Sequence, residues 1–478
     1  MMLGLSKVSL IKKNIFEYLL GRGTEVSISE IAEFTKVSIN TTYKYLAEIT
    51  IELTEVYQDN ELFIKKDNMH KYILIQRENV CLIEYYRKLF EKEISYGLIK
   101  SLLLNQSISL SQFCEEKFIS QATCRRKIRE INDTLVKINV KLEISENKIK
   151  FSGDEISIKT VLFLFIWRFY SQISNIEWLE NKDLYLSKAK SIAYSLHLSL
   201  DINQIETLSI WIYILLERNF DSNNLMTQEK IKEIDKFFVD IPIEGLEEYS
   251  LQNQSLLLLI LYSSEVFQIE FERNSNSRLN KKIESFYDCW LENFRNFFQI
   301  EIPANKLTDI YDRLARFCVS NYIFRLDIAF ESMRLVKIDY RKINKNADQF
   351  FDKFDRFTEA MINQYPVLAT ICYFEETSYY LVNFLTSVNN YKKVIRIHLQ
   401  TELGKNYDIT MKSKLVEEFQ GKFKIEFVSE LQENDLVVTT LMNRLTKRLP
   451  KEKIVYISLA LTSFDLEMIN KTLEDIGS

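Results

Sequence analysis

At 478 residues the chain is too long for one ordinary core, and roughly three to five domains are expected. Hydrophobic residues make up 46%, with only 9 Gly and 4 Pro, which excludes a low-complexity or linker-rich chain and describes a compact, mainly helical one. A formal net charge of -5 excludes a protein that coats polyanions indiscriminately.

Residues 26–49, VSISEIAEFTKVSINTTYKYLAEI, align without a gap on residues 108–131, ISLSQFCEEKFISQATCRRKIREI, and seven of the 24 pairs are identical. In each copy a serine, Ser27 or Ser109, stands three residues before Glu30 or Gln112, the reciprocal capping-box spacing of a helix start. A short helix then ends near Lys36 or Phe118, and Ser38 or Ser120 caps a second helix. Two helices joined by a tight turn form the unit whose second helix enters the DNA major groove.

At 100° per residue, the second helix of copy two turns Cys124, Ile128, Ile131 and Leu135 inward. Arg126 then projects outward, flanked by Arg125 and Arg129 on one side and Lys127 on the other, with Gln121 and Thr123 at the helix start. In copy one, Thr42, Leu46 and Ile49 mark the inner face and Asn40, Thr41, Lys44 and Glu48 point out. Lys44 and Arg126 hold equivalent positions. Such cations suit phosphate contact or guanine readout, and Asn40 suits adenine. The expected DNA contacts are therefore Asn40, Thr41, Lys44, Gln121, Thr123, Arg125, Arg126, Lys127 and Arg129. A hairpin follows each copy, LTEVYQDNELFIKK turning at Asp59 and Asn60, and KLEISENKIKF turning at Glu146 and Asn147. Read as wings, they make two winged helix-turn-helix units, in which the charge balance is slightly positive: residues 1–150 hold 23 Lys+Arg against 20 Asp+Glu, the remainder 39 against 47.

From about residue 157 to 388 the pattern is helical, with polar breaks at 221–224, 274–280 and 344–346, and two successive bundles divided near 274–278 are expected. Near Asn389 the period changes. A strand at 393–398 (KVIRIH), a loop through Gly404, a helix TMKSKLVEEF, strands KFKIEFVS, DLVVTTL and KIVYIS, and a helix from about Ser463 predict a small α/β domain with a parallel sheet. The loop at 399–409 lies where such folds bind anions, but it carries neither a dinucleotide fingerprint nor a Walker motif.

The six cysteines (Cys81, Cys114, Cys124, Cys289, Cys318, Cys372) show no CxxC pair and no metal spacing with histidine, so neither a metal, a cofactor nor a disulfide framework is expected. No nucleophile triad or paired-carboxylate arrangement predicts catalysis. Lys7, Lys12 and Lys13 interrupt any apolar leader, and the longest apolar run, residues 256–262, is too short to span a bilayer. A cytoplasmic location without membrane contact is expected.

With FISQATCRRKIREIN followed by KLEISENKIKFSGDE, a helical middle and a terminal α/β domain, the chain resembles the Mga/AtxA group of virulence regulators of Gram-positive bacteria. The resemblance implies a DNA-binding transcription regulator with winged helices at 1–75 and 76–153, phosphotransferase-system regulation domains at 154–278 and 279–388, and a domain at 389–478 similar to the IIB component of sugar permeases, which serves homodimerisation. It also implies promoter DNA and the general phosphotransferase phosphocarrier protein as partners. His197, the only histidine between Gly153 and Asn389, is by this resemblance the candidate phosphoacceptor. A second phosphohistidine in residues 280–388 is impossible, since none is there. A IIB carrier would need a cysteine after its first strand, but the last is Cys372, and His398 stands near that place. His70, beyond the first wing, has no neighbouring ligand set. A phosphocarrier enzyme and an RNA-binding antiterminator are the alternative readings.

Overall fold

The computed structural model describes residues 6–58, 61–67, 71–77, 79–217, 234, 237–238, 250–264, 266–267, 269–324, 340–344, 346–371, 374–430, 435–442 and 448–477. Packing divides the chain into two compact units, Met1–Lys282 with Ala315–Leu335, and Ile283–Leu314 with Val336–Ser478.

The first unit opens with one architecture used twice. Its first repeat runs α1 (Lys7–Arg22), β1 (Val26–Ser27), α2 (Ile28–Thr35), α3 (Ile39–Val56), β2 (Leu62–Lys66) and β3 (Lys71–Gln76). After α4 (Ile83–Glu91) the second repeat runs α5 (Ile94–Leu104), β4 (Ser107–Ser109), α6 (Leu110–Glu116), α7 (Gln121–Leu135), β5 (Val140–Ser145) and β6 (Lys148–Gly153). The sheets have the same antiparallel order, β1-β3-β2 and β4-β6-β5.

The caps account for the helix boundaries. Ser27 accepts the Glu30 N–H while Glu30 returns a bond to the Ser27 N–H, a complete capping box. In the second repeat only half of the expected box forms: Ser109 accepts the Gln112 N–H, whereas the Gln112 side chain donates to Glu116 one turn on. Ser38 and Ser120 cap α3 and α7 by accepting the N–H of Thr41 and Thr123. Leu46, Ile49 and Leu53 on α3, and Cys124, Ile128, Ile131 and Leu135 on α7, are buried.

The second hairpin turns at Glu146 and Asn147, both with positive φ (48° and 61°), as a two-residue turn requires. The first does not lie where the sequence suggested. LTEV continues α3, because Leu53 extends the buried stripe by one turn, and the hairpin joins β2 to β3 across residues 67–70, with the Asp67 carboxylate accepting the Lys71 N–H at 2.6 Å. Asp59, Asn60 and His70 lie outside the described residues.

Beyond β6 the first unit continues in α8 (Glu155–Tyr170), α9 (Lys182–Ser195), α10 (Ile202–Glu217), α11 (Leu251–Ser263) and the start of α12 (Arg278–Phe298). The expected break at 221–224 lies outside the described residues; that at 274–280 is shorter than expected, since α12 already begins at Arg278, and Asn344 and Asn346 fall between helices. In the second unit, α12 is followed by α13 (Ala304–Val319), whose first part lies here, then α14 (Asp348–Gln364) and α15 (Phe374–Leu385). Its C-terminal portion holds β7 (Val394–Gln400), α16 (Lys405–Phe419), β8 (Lys424–Phe427), β9 (Leu436–Thr439), β10 (Ile454–Tyr456) and α17 (Ser463–Gly477). Its four strands are parallel in the order β10-β9-β7-β8. Gly404, at φ 83°, ends the connection from β7, so α16 begins five residues before the expected Thr410. Asp408 occupies its first turn and accepts the Thr401 hydroxyl at 2.5 Å, placing a carboxylate where the sequence suggested an anion.

At the end of the second hairpin, Gly153 has φ 125° and a Cβ there would stand 2.0 Å from the Asn139 carbonyl oxygen, which accepts the Asp154 N–H at 2.9 Å. Gly153→Ala is therefore expected to destabilise the first unit by about 2–4 kcal/mol. Gly23→Ala, left-handed but with open space around it, should cost only about 1 kcal/mol. Urea unfolding of both variants checks this, and equal losses would contradict it.

Candidate nucleic-acid interface

The helix start at Ser120 leaves Gln121, Arg125, Arg126 and Arg129 of α7 exposed on one side. Over the same stretch of α3 the exposed residues are Ile39, Asn40, Lys44 and Ala47, so only Lys44 matches a cation of α7. The Thr41 and Thr123 hydroxyls are half-buried and hydrogen-bonded to their capping serines at 2.8 and 2.9 Å. Their first role is therefore to hold the helix start.

Lys127 departs from the expected outward face. Its side chain is only 11% exposed and its Nζ lies 3.1 Å from Glu130. It stands three residues after Cys124, within the buried stripe rather than opposite it, and a lysine stem packs against apolar neighbours while its ammonium reaches a charge at the edge. The aligned residue of the first repeat is Tyr45, which packs against the first core.

Both central cations have the same partner. Lys44 lies 3.9 Å from Glu48, and Arg126 4.0 Å from Glu130, one helical turn on. These glutamates are one of the seven identical pairs. An i,i+4 pair between exposed groups contributes little stability, but it orients a long side chain along the helix. The hairpins add exposed lysines that sequence reasoning did not single out, Lys65 and Lys66 on β2 and Lys148 and Lys150 on β6; the alternation of Lys148 and Lys150 about Ile149 was the available signal on β6. In the turn before α7, Phe118 is left-handed (φ 52°) and 95% exposed.

Behind α3 lies a buried charge network. Lys12 of α1 is 2.6 Å from Glu48 and 2.8 Å from Glu52. Lys92 approaches Glu52 at 2.9 Å, and the Tyr85 hydroxyl donates to it at 3.3 Å. Burial acts to raise the Glu52 carboxyl, but hydrogen bonds and charge from Lys12 and Lys92 outweigh it and hold the group below its ordinary value. Burial likewise acts to lower Lys12, and Glu48 and Glu52 reverse it, leaving the ammonium above its ordinary value.

The remaining candidates are isolated. His197 is exposed just past α9 with φ 53°, its N–H donating to the Tyr194 carbonyl while Leu198 N–H reaches Ala193, a left-handed helix stop. His398 lies within β7, with Nδ1 3.2 Å from the Val428 carbonyl oxygen. Cys114 and Cys124 are buried, and burial together with Cys114 pushes the Cys124 thiol up to about 12, which makes it inert. Among the described residues no group of three or more His, Cys, Asp or Glu is placed to hold a metal, and no helix is long and apolar enough to cross a membrane.

The sign of the Glu52 shift sets a pH dependence. A depressed folded-state carboxyl contributes stability above its unfolded value, near 4.3, which is lost as pH falls through the folded value. The raised Lys12 contributes below about 10.4 and its share is lost as pH rises through the folded value. Glu52→Gln is expected to cost about 2–4 kcal/mol at neutral pH and to flatten the acid limb of the stability profile. Denaturant unfolding from pH 3 to 7 measures both, and an acid limb as steep as wild type would contradict the assignment.

Residues 78–166 match the family model of the Mga helix-turn-helix domain, a span that begins before α4 and ends within α8. No curated protein matches the chain. The matched domain is that of a DNA-binding transcription regulator rather than of an enzyme class, and it supports that role for this chain.

Proposed function

We propose that the chain is a transcription regulator of the Mga/AtxA kind that binds promoter DNA through two tandem winged helices, with α3 and α7 as recognition helices. The observation that carries this reading is the repeated placement of a serine-capped helix start, an outward cation and a glutamate one turn on: Ser38, Lys44 and Glu48 in one repeat, Ser120, Arg126 and Glu130 in the other. A capped N-terminus with cations along the outer face suits a helix entering the major groove between phosphates. Asn40, Thr41, Lys44, Gln121, Thr123, Arg125, Arg126 and Arg129 are the proposed contacts, with Lys127 supporting the helix from beneath.

Regulation domains at 154–278 and 279–388 and a IIB-like domain at 389–478 complete the proposal, with action on virulence or carbohydrate-responsive genes in the cytoplasm. The parallel order β10-β9-β7-β8 with α16 and α17 supports a IIB-like fold, and homodimerisation is assigned to this domain. Phosphoryl transfer from the phosphotransferase system is assigned to His197, whose ring is exposed and would gain about 1.5 to 2 negative charges. The absence of a cysteine from the loop after β7 disfavours a phosphocarrier, and two duplex-reading units disfavour an RNA-binding antiterminator.

The contacts are tested by titrating labelled duplex DNA at several salt concentrations. Arg126→Ala is expected to weaken binding by roughly 1–3 kcal/mol if it reads a base, or to lower the salt slope by about one if it binds phosphate. Lys127→Met should leave the salt slope unchanged. Wild-type affinity and slope in a folded Arg125→Ala/Arg126→Ala variant would sink the reading, as would preference for hairpin RNA. In parallel, phosphoenolpyruvate and the general phosphotransferase proteins should label wild type but not His197→Ala, and light scattering should give twice the 56.8 kDa chain mass.

A further inference from the structure

The two repeats are joined through α4 and a connection of two residues, Lys92 and Glu93, before α5 begins. α4 belongs to the core of the first repeat: Tyr85, Tyr86 and Leu89 are buried in the same cluster as Phe16 and Leu53, and the Phe16 and Tyr85 rings lie 4.6 Å apart. On the far side α5 packs against α7 and α8, with the Tyr96 and Tyr170 hydroxyls 2.7 Å apart and the Tyr96 ring against Phe169, while Phe90 of α4 reaches across to the same Phe169. The backbone between the repeats therefore has only Lys92 and Glu93 in which to bend, and the Phe90–Phe169 contact bridges the same joint.

Both are tied back into the first repeat, each to a different helix. Lys92 bonds Glu52 of α3 at 2.9 Å, and Glu52 is itself held by Lys12. The Glu93 carboxylate accepts the Ser9 hydroxyl of α1 at 2.5 Å, and both residues are buried. Glu93 is also the residue that starts α5 in extended conformation (φ -83°, ψ 140°). Bending here would strip partners from a buried carboxylate, which is costly in a low-dielectric interior. A surface linker between two independent units needs none of these bonds.

We propose that Glu52, Lys92, Ser9 and Glu93 are positioning residues for DNA recognition: they lock the joint between the repeats so that one chain presents α3 and α7 at fixed spacing and reads a composite duplex site with a constant number of base pairs between its halves. This rests on the DNA-binding reading above. The halves differ in sequence because the reading faces differ, Asn40 and Lys44 in one and Gln121, Arg125 and Arg126 in the other. A second copy of the chain repeats the whole composite in inverted order, whereas the two heads of one chain select two unlike motifs.

The test selects binders from a duplex pool with a randomised central segment, using the full chain, followed by sequencing and titration of the winning duplex. Wild type is expected to enrich two unlike motifs at constant separation, and inserting about five base pairs between them, half a helical turn, should weaken binding at least tenfold. Two variants loosen the joint: Ser9→Ala with Lys92→Ala, and a Gly-Gly insertion between Lys92 and Glu93 combined with Phe90→Ala, which also removes the ring contact to Phe169 and leaves both reading faces untouched. In each the same motifs should be enriched with scattered separation, and the insertion penalty should fall below about threefold. A single motif from wild type, or undiminished spacing dependence in the Gly-Gly variant, would overturn the proposal. No enrichment of any duplex by wild type would instead remove the DNA-binding reading on which it rests.

Discussion

Burying a carboxylate on the inner side of a helix imposes one condition, that the charge be neutralised from within. Glu52 meets it with Lys12 from α1 and Lys92 from the end of α4. Lys12 is buried beside it and carries most of the compensation, while the half-exposed Lys92 adds a weaker, solvent-screened share. The same requirement thus packs α1 and α4 onto α3 and fixes where the chain leaves the first repeat. Much of the orientation of the N-terminal half follows from satisfying this one group.

The two repeats solve a common geometry with different chemistry. Glu48 and Glu130 stand at the same position, yet Glu48 faces Lys12 from a neighbouring helix while Glu130 faces Lys127 of its own. Copy one therefore spends its acidic residue on packing between helices, and copy two keeps its charges local to α7. The result is a weakly cationic face at α3 and a strongly cationic one at α7, with Arg125, Arg126 and Arg129 exposed together. Electrostatic attraction to phosphates falls steeply with salt, so on the proposed reading the second repeat dominates encounter and the first contributes through geometry.

What the sequence made legible was what short-range rules control. Ser38 and Ser120 capped the expected helices, Glu146 and Asn147 formed the expected turn, and the change of period near Asn389 did announce parallel strands. The failures arose where two local signals competed or where burial overrode a projection. Residues 57–62 carry turn residues, but so do Asp67 and Asn68, and the stripe through Leu53 decided in favour of a longer helix. Lys127 looked outward only because its charge was weighed above its position three residues after Cys124; the aligned Tyr45 held the contrary signal. The joint at Lys92 and Glu93 was not legible at all, since its partners Glu52 and Ser9 are 40 and 84 residues distant in sequence.

On the proposed reading the outer faces of α3 and α7 together meet duplex DNA. Amide hydrogen exchange of the full chain, with and without a selected duplex, tests it most directly. The account predicts slowed exchange in the turns before and the first turns of both helices, around Val37 to Thr41 and Ile119 to Thr123, with little change in the second unit. Protection of α7 alone, or protection confined to residues of the second unit, would contradict it.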